Sequence, residues 1–499
     1  MWSKRNMNDI SRRDFLKLMA AASSVFLPVS CSKQSRQPLK NKTDIAHIIL
    51  ISMDTTRADH LACYGHPFIQ TPIIDALAKE AMLFEQHISA ASSTLVSFTS
   101  LMTGTYPHTH GVPRNGFVVD DKNIMLAESL KKTGFTTAGF IGATVLDAEF
   151  NFDQGFDIYN ADYEFSVKMA MTDRPQRRAE SVTNSVLRWL EQRSSAGAEE
   201  STKKEPLFLF IHYFDPHLPY DAPLPFGGMY RKKGTPFDSS MEAARQAREL
   251  LAKTNSQDAQ EVANAYHAEY CAEITYCDYH IGRLLEGLKK HGIFDKALII
   301  LTGDHGETIN EHFNKIQHGR SVYDTEIRTP LIIRFPRGQF GGRRIPRLVS
   351  NIDIVPTINH LLGLKDNQHI EGQSFAGLID GPLGPRSPVF SEATQPWWDD
   401  RFDDDPLWQN RGKYQCIRTL RHKYMFRLPD RKFGFYDLQN DPMEQNNLLK
   451  SIPASEADIV ESLRSNLEDW RNDVRLIASP KQLDSEKVKQ MLRSLGYVR

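Results

Sequence analysis

The chain has little of what would place it in several large protein classes. Lysine plus arginine number 61 against 62 aspartate plus glutamate over 499 residues. With net charge near zero and no long basic run, nucleic acid is not expected as a main partner. Gly-x-Gly-x-x-Gly and Walker-type loops are absent, so the common backbone cradles for dinucleotides and nucleoside triphosphates are missing. The five cysteines, Cys31, Cys63, Cys271, Cys277 and Cys416, show no metal-type pairing. Cys271 and Cys277, six apart in an expected helix, point to different faces and are not expected to bridge. No internal repeat or heptad pattern is evident. The apolar stretch Leu18 to Val29, at about a dozen residues, is too short for a membrane span.

That stretch belongs to an address. Ser11-Arg12-Arg13-Asp14-Phe15-Leu16-Lys17 matches the twin-arginine export pattern, so residues 1–34 read as a signal peptide with cleavage near Ser30 to Gln34. Export by this route, to the periplasm or the cell surface, suits a protein that folds before crossing. Pro28-Val29-Ser30-Cys31 loosely resembles a lipoprotein box, which leaves a lipid anchor at Cys31 open. Residues 35–45 read as a polar linker.

Beyond the linker, two strand-length apolar runs end in carboxylates. Ala46 to Met53 delivers Asp54, and Ala297 to Gly303 delivers Asp304-His305-Gly306-Glu307. Continuous apolar runs of this length read as buried parallel strands, and open α/β sheets place ligands at strand carboxyl ends. Two such strands can build one divalent-cation site.

Several motifs, in order along the chain, carry a resemblance. Asp54-Thr55-Thr56-Arg57-Ala58-Asp59-His60-Leu61 with Cys63-Tyr64-Gly65 opens it. Thr71-Pro72-Ile73-Ile74-Asp75-Ala76-Leu77-Ala78 starts a helix with Pro at its first position. Leu101-Met102-Thr103-Gly104-Thr105-Tyr106-Pro107-His108 follows, and then Asp215-Pro216-His217-Leu218-Pro219-Tyr220. Tyr276 to Gly306 leads into the second strand, and Phe435-Tyr436-Asp437-Leu438-Gln439-Asn440-Asp441-Pro442 comes near the end. From about Ala46 to Leu449 the chain resembles the sulfatases of the alkaline phosphatase superfamily. The resemblance implies a doubly wound α/β domain with a mostly parallel central sheet over residues 46–395. A small antiparallel sheet plus helix follows in 396–499. It also implies a metal-dependent ester hydrolase acting on a small-molecule, glycan or lipid ester.

In that family Cys-x-Pro-Ser-Arg places the nucleophile ten residues before the Gly of the Thr-Gly pair. Counting back from Gly104 reaches Thr94, with Val96 and Phe98 where Pro and Arg are expected. The family's sulfate-binding Lys-x-His pair is missing from Gly142-Ala143-Thr144-Val145-Leu146. His318 or Arg320 stands where a third sulfate-contacting lysine is expected. A hydrated formylglycine has a second hydroxyl that expels sulfate. Thr94 has one hydroxyl, so its adduct must be released by water. This favours phosphate diester or phosphonate chemistry, with sulfate-ester hydrolysis without formylglycine as the alternative. A non-catalytic relative that binds an anionic ligand is the reading of another class.

The expected ligands of a calcium, zinc or manganese ion are Asp54, Thr94, Asp304 and His305. Asp215, His217 and His318 offer a possible second site, so one or two ions are expected. His217 and His318 are also candidates for acid catalysis beside Thr94, and Asn115 for oxyanion donation. The segments Glu199 to Lys204 and 235 to 265 read as insertions, the second helical but largely a solvated surface excursion. Trp397, Trp398, Arg401, Trp408 and Arg411 read as packing at the subdomain edge.

Overall fold

A computed structural model describes residues 44–162, 177–195, 205–254, 256–312, 316–379, 381, 388–394, 413–428 and 431–483. The twin-arginine segment, Cys31, most of the linker, Glu199 to Lys204 and the Trp397 to Arg411 group lie outside the described residues.

The apolar runs form the middle of an eight-stranded sheet. Its strands are β1 (His47–Met53), β2 (Met82–Ile88), β3 (Thr136–Phe140), β4 (Ile158–Asn160), β5 (Leu207–Tyr213), β6 (Ala297–Gly303), β7 (Arg328–Arg334) and β8 (Arg343–Ser350). They lie in the order β8-β2-β7-β6-β1-β5-β3-β4. Every junction is parallel except those of β7, which runs antiparallel to β2 and β6. β5 and β6 are buried throughout and β1 in all but its first residue, as expected of strands covered on both faces.

Alternate residues of β1 serve opposite cores. Ile49, Ile51 and Met53 pack with α1 (Pro72–Lys79), α4 (Ala179–Ser195) and α6 (Gln257–Lys290). Ile48 and Leu50 pack with α2 (Thr94–Thr103), α3 (Leu126–Lys132) and α7 (Ile354–Leu362). The fold is the doubly wound α/β architecture expected from the sequence. Among the described residues no helix is long and apolar enough to cross a membrane.

β9 (Val389–Thr394), β10 (Lys413–Arg418), β11 (His422–Arg427) and β12 (Lys432–Asp437) form a second, antiparallel sheet, and α8 (Ala457–Asn472) packs on it. Its first strand, Val389–Thr394, lies on the amino-terminal side of the boundary expected at 395. Sequence alone put Val389 to Thr394 with the larger sheet because an isolated β-prone run does not reveal its pairing partner. β9 is also stitched to the segment before α2: Glu392 N–H donates to Ala90 O at 2.9 Å, and the Ser391 hydroxyl to Ser89 O at 2.6 Å.

The 235–265 excursion is more than a solvated surface. It forms α5 (Met241–Lys253), which buries Ala244, Ala247 and Leu251 in the core, and the start of α6. Arg248 Nε donates to Ile316 O at 2.8 Å, two residues before His318.

Candidate active site

The register of β1 builds the site. Met53 lies opposite Tyr213 on one side and Gly303 on the other. The three central strands therefore end at one level, and Asp54 and Asp304 emerge side by side. Thr55 then turns with φ of 50°, a left-handed conformation that a β-branched residue disfavours. Three bonds hold it there. Its amide donates to Asp304 Oδ1 at 3.1 Å, its hydroxyl to Pro216 O at 2.7 Å, and the Tyr270 hydroxyl donates to its carbonyl at 2.6 Å.

Asp54, Asp304 and His305 are fully buried, with ligand atoms within 4.8 Å of one another. Nδ1–H of His305 donates to Gly306 O at 3.0 Å, which leaves Nε2 carrying the lone pair. That nitrogen lies 3.3 Å from Asp304 Oδ2, 3.7 Å from Asp54 Oδ1 and 3.3 Å from Thr94 Oγ1. Neither oxygen of Asp54 has a hydrogen-bond partner, nor has Asp304 Oδ2. Burial, reinforced by the Asp304 carboxylate, pushes the Asp54 carboxyl well above the usual carboxylate range. Buried carboxylate oxygens without donors, converging on an imidazole lone pair, are costly unless a cation lies among them. The donor set therefore fits a divalent metal; two carboxylates and an imidazole are ligands that calcium, zinc and manganese sites all use in some combination.

Thr94 is the first residue of α2, only 1 % exposed, so its hydroxyl sits at a positive helix terminus. The helix is anchored to the metal-ligand loop by the Ser97 hydroxyl, which donates to Asp304 O at 2.7 Å. Asn115 Oδ1 accepts from Leu95 N–H at 2.9 Å, while its Nδ2 is buried without a partner. An unspent amide donor thus lies beside the Thr94 end of α2.

His217 and His318 come together, with ring centroids 4.8 Å apart, and His318 also stacks on His305 at 4.8 Å. Nδ1–H of His217 donates to Leu218 O at 2.5 Å, and Nδ1–H of His318 to both Glu307 oxygens at 3.2 Å. Burial first, then mutual repulsion with nearby imidazoles, holds both well below the usual histidine range. Asp215 does not join them. Its Oδ2 accepts from Ala179 N–H at 2.7 Å and caps α4. Among the described residues, Asp215, His217 and His318 do not converge as a second ligand set. Asp215 and His217 straddle a turn, and the turn sends their side chains to different neighbours.

Two site residues escaped the sequence reading. His212 lies inside the apolar run of β5 opposite Ser52, with Nε2 at 3.4 Å from Asp54 Oδ2 and neither ring nitrogen hydrogen-bonded. Burial pushes its pKa down to about 4, so it is neutral. A histidine interrupting a fully apolar strand beside β1 was the available signal. Glu307 was visible in the Asp304-His305-Gly306-Glu307 run, but its role as the acceptor orienting His318 depends on a contact eleven residues away.

A sulfatase family profile matches residues 46–364, and a profile for the C-terminal region of N-sulphoglucosamine sulphohydrolase matches residues 311–473. An ulvan-active sulfatase of Formosa agariphila is 25% identical over 84% of this chain and 79% of its own length. The multifunctional alkaline phosphatase superfamily protein PehA of Trinickia caryophylli is 27% identical over 81% of this chain and 91% of its own. The crystal structure of the phosphonate monoester hydrolase of Agrobacterium radiobacter superposes with a TM-score of 0.68 at 24% identity, covering 87% of this chain and 96% of that one. With the carboxylate-ended strands, the small antiparallel sheet and the profile match in agreement, the chain belongs to the sulfatase family and is a hydrolase of that family.

Proposed function

We propose that this chain is an exported, metal-dependent ester hydrolase that uses Thr94 as its nucleophile on phosphate diester or phosphonate groups. The observation that carries the reading is the Thr94 hydroxyl, buried at the start of α2 and 3.3 Å from the lone-pair nitrogen of His305. Asp54, Asp304 and His305 would hold the cation, which when bound lowers the pKa of a hydroxyl presented to it and offsets charge on the transferred group.

The remaining chemistry falls to the chain's own residues. Thr94 Oγ gives up its proton to solvent and forms a bond to phosphorus as the bond to the leaving-group oxygen breaks. The Asn115 amide and the amino end of α2 donate to the non-bridging oxygens. His217 and His318 are each oriented through Nδ1, His217 by Leu218 O and His318 by Glu307. An anionic substrate raises their pKa and lets one of them protonate the leaving oxygen. Water then attacks phosphorus, and the Thr94 oxygen departs and regains its proton. The likeness to the phosphonate monoester hydrolase of Agrobacterium radiobacter supports the choice of phosphorus. Sulfate esters are the second reading, supported by the sulfatase names among the relatives.

The test is an assay of the purified, metal-analysed protein on paired aryl phosphodiester, aryl phosphonate and aryl sulfate substrates. Phosphorus-ester turnover should dominate and fall roughly a thousandfold or more in Thr94→Ala. Dominant sulfate turnover would replace the first reading with the second, and turnover that survives Thr94→Ala would remove Thr94 from the mechanism.

A further inference from the structure

A second group of ligating side chains shares no residue with the site above. His60 ends the short helical turn Ala58–His60 that follows β1, His66 comes six residues later, and Cys271 lies on α6. Their ligand atoms are within 4.8 Å of one another, with His60 and Cys271 buried and His66 half-buried. Spacing along the sequence conceals the group, since more than 200 residues separate the two arms.

We propose that His60, His66 and Cys271 form a zinc site that pins the loop after Asp54 to α6. His60 Nδ1–H donates to Asp59 Oδ1 at 3.0 Å, the carboxylate–histidine arrangement that fixes a ligating tautomer and leaves Nε2 for the metal. Burial, with a smaller contribution from Arg57, brings the His60 pKa down to about 4, so the ring is in its neutral, metal-binding form. Arg57 itself is neutralised by ion pairs with Asp59 and Glu311.

Cys271 is a free cysteine whose thiol burial pushes up to about 12. Such a group is a poor nucleophile on its own, but zinc deprotonates a coordinating thiol outright. On binding, the Cys271 S–H bond breaks, its proton passes to solvent and the sulfur bonds to zinc, with no change of oxidation state. His66 accepts from Ile69 N–H through Nδ1 at 3.2 Å. Coordination through Nε2 therefore requires the ring proton to move to Nδ1 and that long hydrogen bond to be given up. His267, one turn before Cys271 on the same face of α6, stacks beside His60 at 5.7 Å.

Soft and borderline metals prefer such a nitrogen and sulfur set, whereas the Asp54–Asp304–His305 site offers no sulfur. That difference makes the two sites separable by spectroscopy. Cobalt(II) titrated into the full-length, chelator-treated protein as a zinc probe should give a thiolate-to-cobalt charge-transfer band with a stoichiometry of one, competed away by zinc(II). The band should persist in Asp54→Asn and vanish in Cys271→Ser. Because Cys271 is buried, His66→Ala gives a second arm at a half-buried position, with cobalt affinity expected to fall about tenfold or more. No thiolate band in the wild type, a band that survives Cys271→Ser, or unchanged affinity in His66→Ala would each overturn the proposal.

Discussion

Where the small sheet meets the large one, the buried Glu444 and the partly buried Asp324 lie with Arg418 and Lys423. Arg418 donates to both oxygens of Asp324 at 3.1 and 2.8 Å, and Lys423 Nζ is 2.5 Å from Asp324 Oδ1 and 2.7 Å from Glu444 Oε1. At the carboxyl edge of the large sheet, Asp54 and Asp304 are buried more deeply, yet among the described residues their ion-pair partners are the imidazoles of His212 and His305 at 3.3 to 3.7 Å. Two carboxylates with two cations form a closed structural set. Two carboxylates with unpartnered oxygens form a set that an ion completes. Burial alone does not mark function; the distinguishing observation is whether the buried charge has been answered from within the chain.

The comparison breaks most sharply at Asp54. Asp54→Asn removes a ligand while relieving like-charge crowding, so turnover should fall about a thousandfold or more. The melting temperature of chelator-treated protein should stay level or rise. Added divalent metal should raise the melting temperature of the wild type through linkage and have little effect on the variant. A large loss of stability in chelator-treated Asp54→Asn would mean that the carboxylate is structural after all.

Asp324→Asn is the mirror experiment. It strands Arg418 and leaves Lys423 with Glu444 alone, and breaking a buried pair from one side costs about 3–5 kcal/mol, readable by denaturant unfolding with metal content unchanged. The pH dependence has a definite sign. Burial alone would raise the Asp324 carboxyl, but Arg418 and Lys423 outweigh it and hold it well below the usual carboxylate range. Its contribution is therefore present above the unfolded value of about 3.9 and is lost as pH falls through the lower folded value. Wild type should lose stability more steeply than Asp324→Asn below about pH 4.

Asn115 lies between the two behaviours, with its oxygen spent on Leu95 and its amide unspent. Asn115→Ala should lower kcat roughly a hundredfold, the usual effect of removing one oxyanion donor. A comparable loss in KM alone would place Asn115 in ground-state binding.

How much of this was legible follows from the range over which each feature acts. The β1 and β6 runs are local, so the parallel core and the emergence of Asp54 and Asp304 could be read from apolar length and the terminal carboxylate. Thr94 was reached by counting from a motif. The side of a turn to which a residue points is not local. Asp215 and His217 are two residues apart, yet one caps α4 and the other faces His318. His212 stands out in the apolar run of β5, but that it faces Asp54 follows only from the pairing of β5 with β1, which is not local. The pairing of Val389 to Thr394 depended on β10, reached only after a gap in sequence.

Asp215 gives the smallest effect and the finest division between the two kinds of carboxylate. It is buried in the same loop region as the site, and burial raises its pKa to about 6 even with Arg178 nearby, which by itself resembles a functional group. Its Oδ2, however, is already used at the amino end of α4, while Oδ1 is buried without a hydrogen-bond partner. A residue spent on a cap contributes about 1 kcal/mol. Asp215→Ala should therefore lower stability by about that amount in a denaturant titration, with divalent-metal stoichiometry unchanged. Loss of a bound ion in this variant would restore Asp215 to the ligand set with His217 and His318. Loss of stability alone would assign it to α4, and would show that a raised pKa near an active site follows from burial as readily as from catalysis.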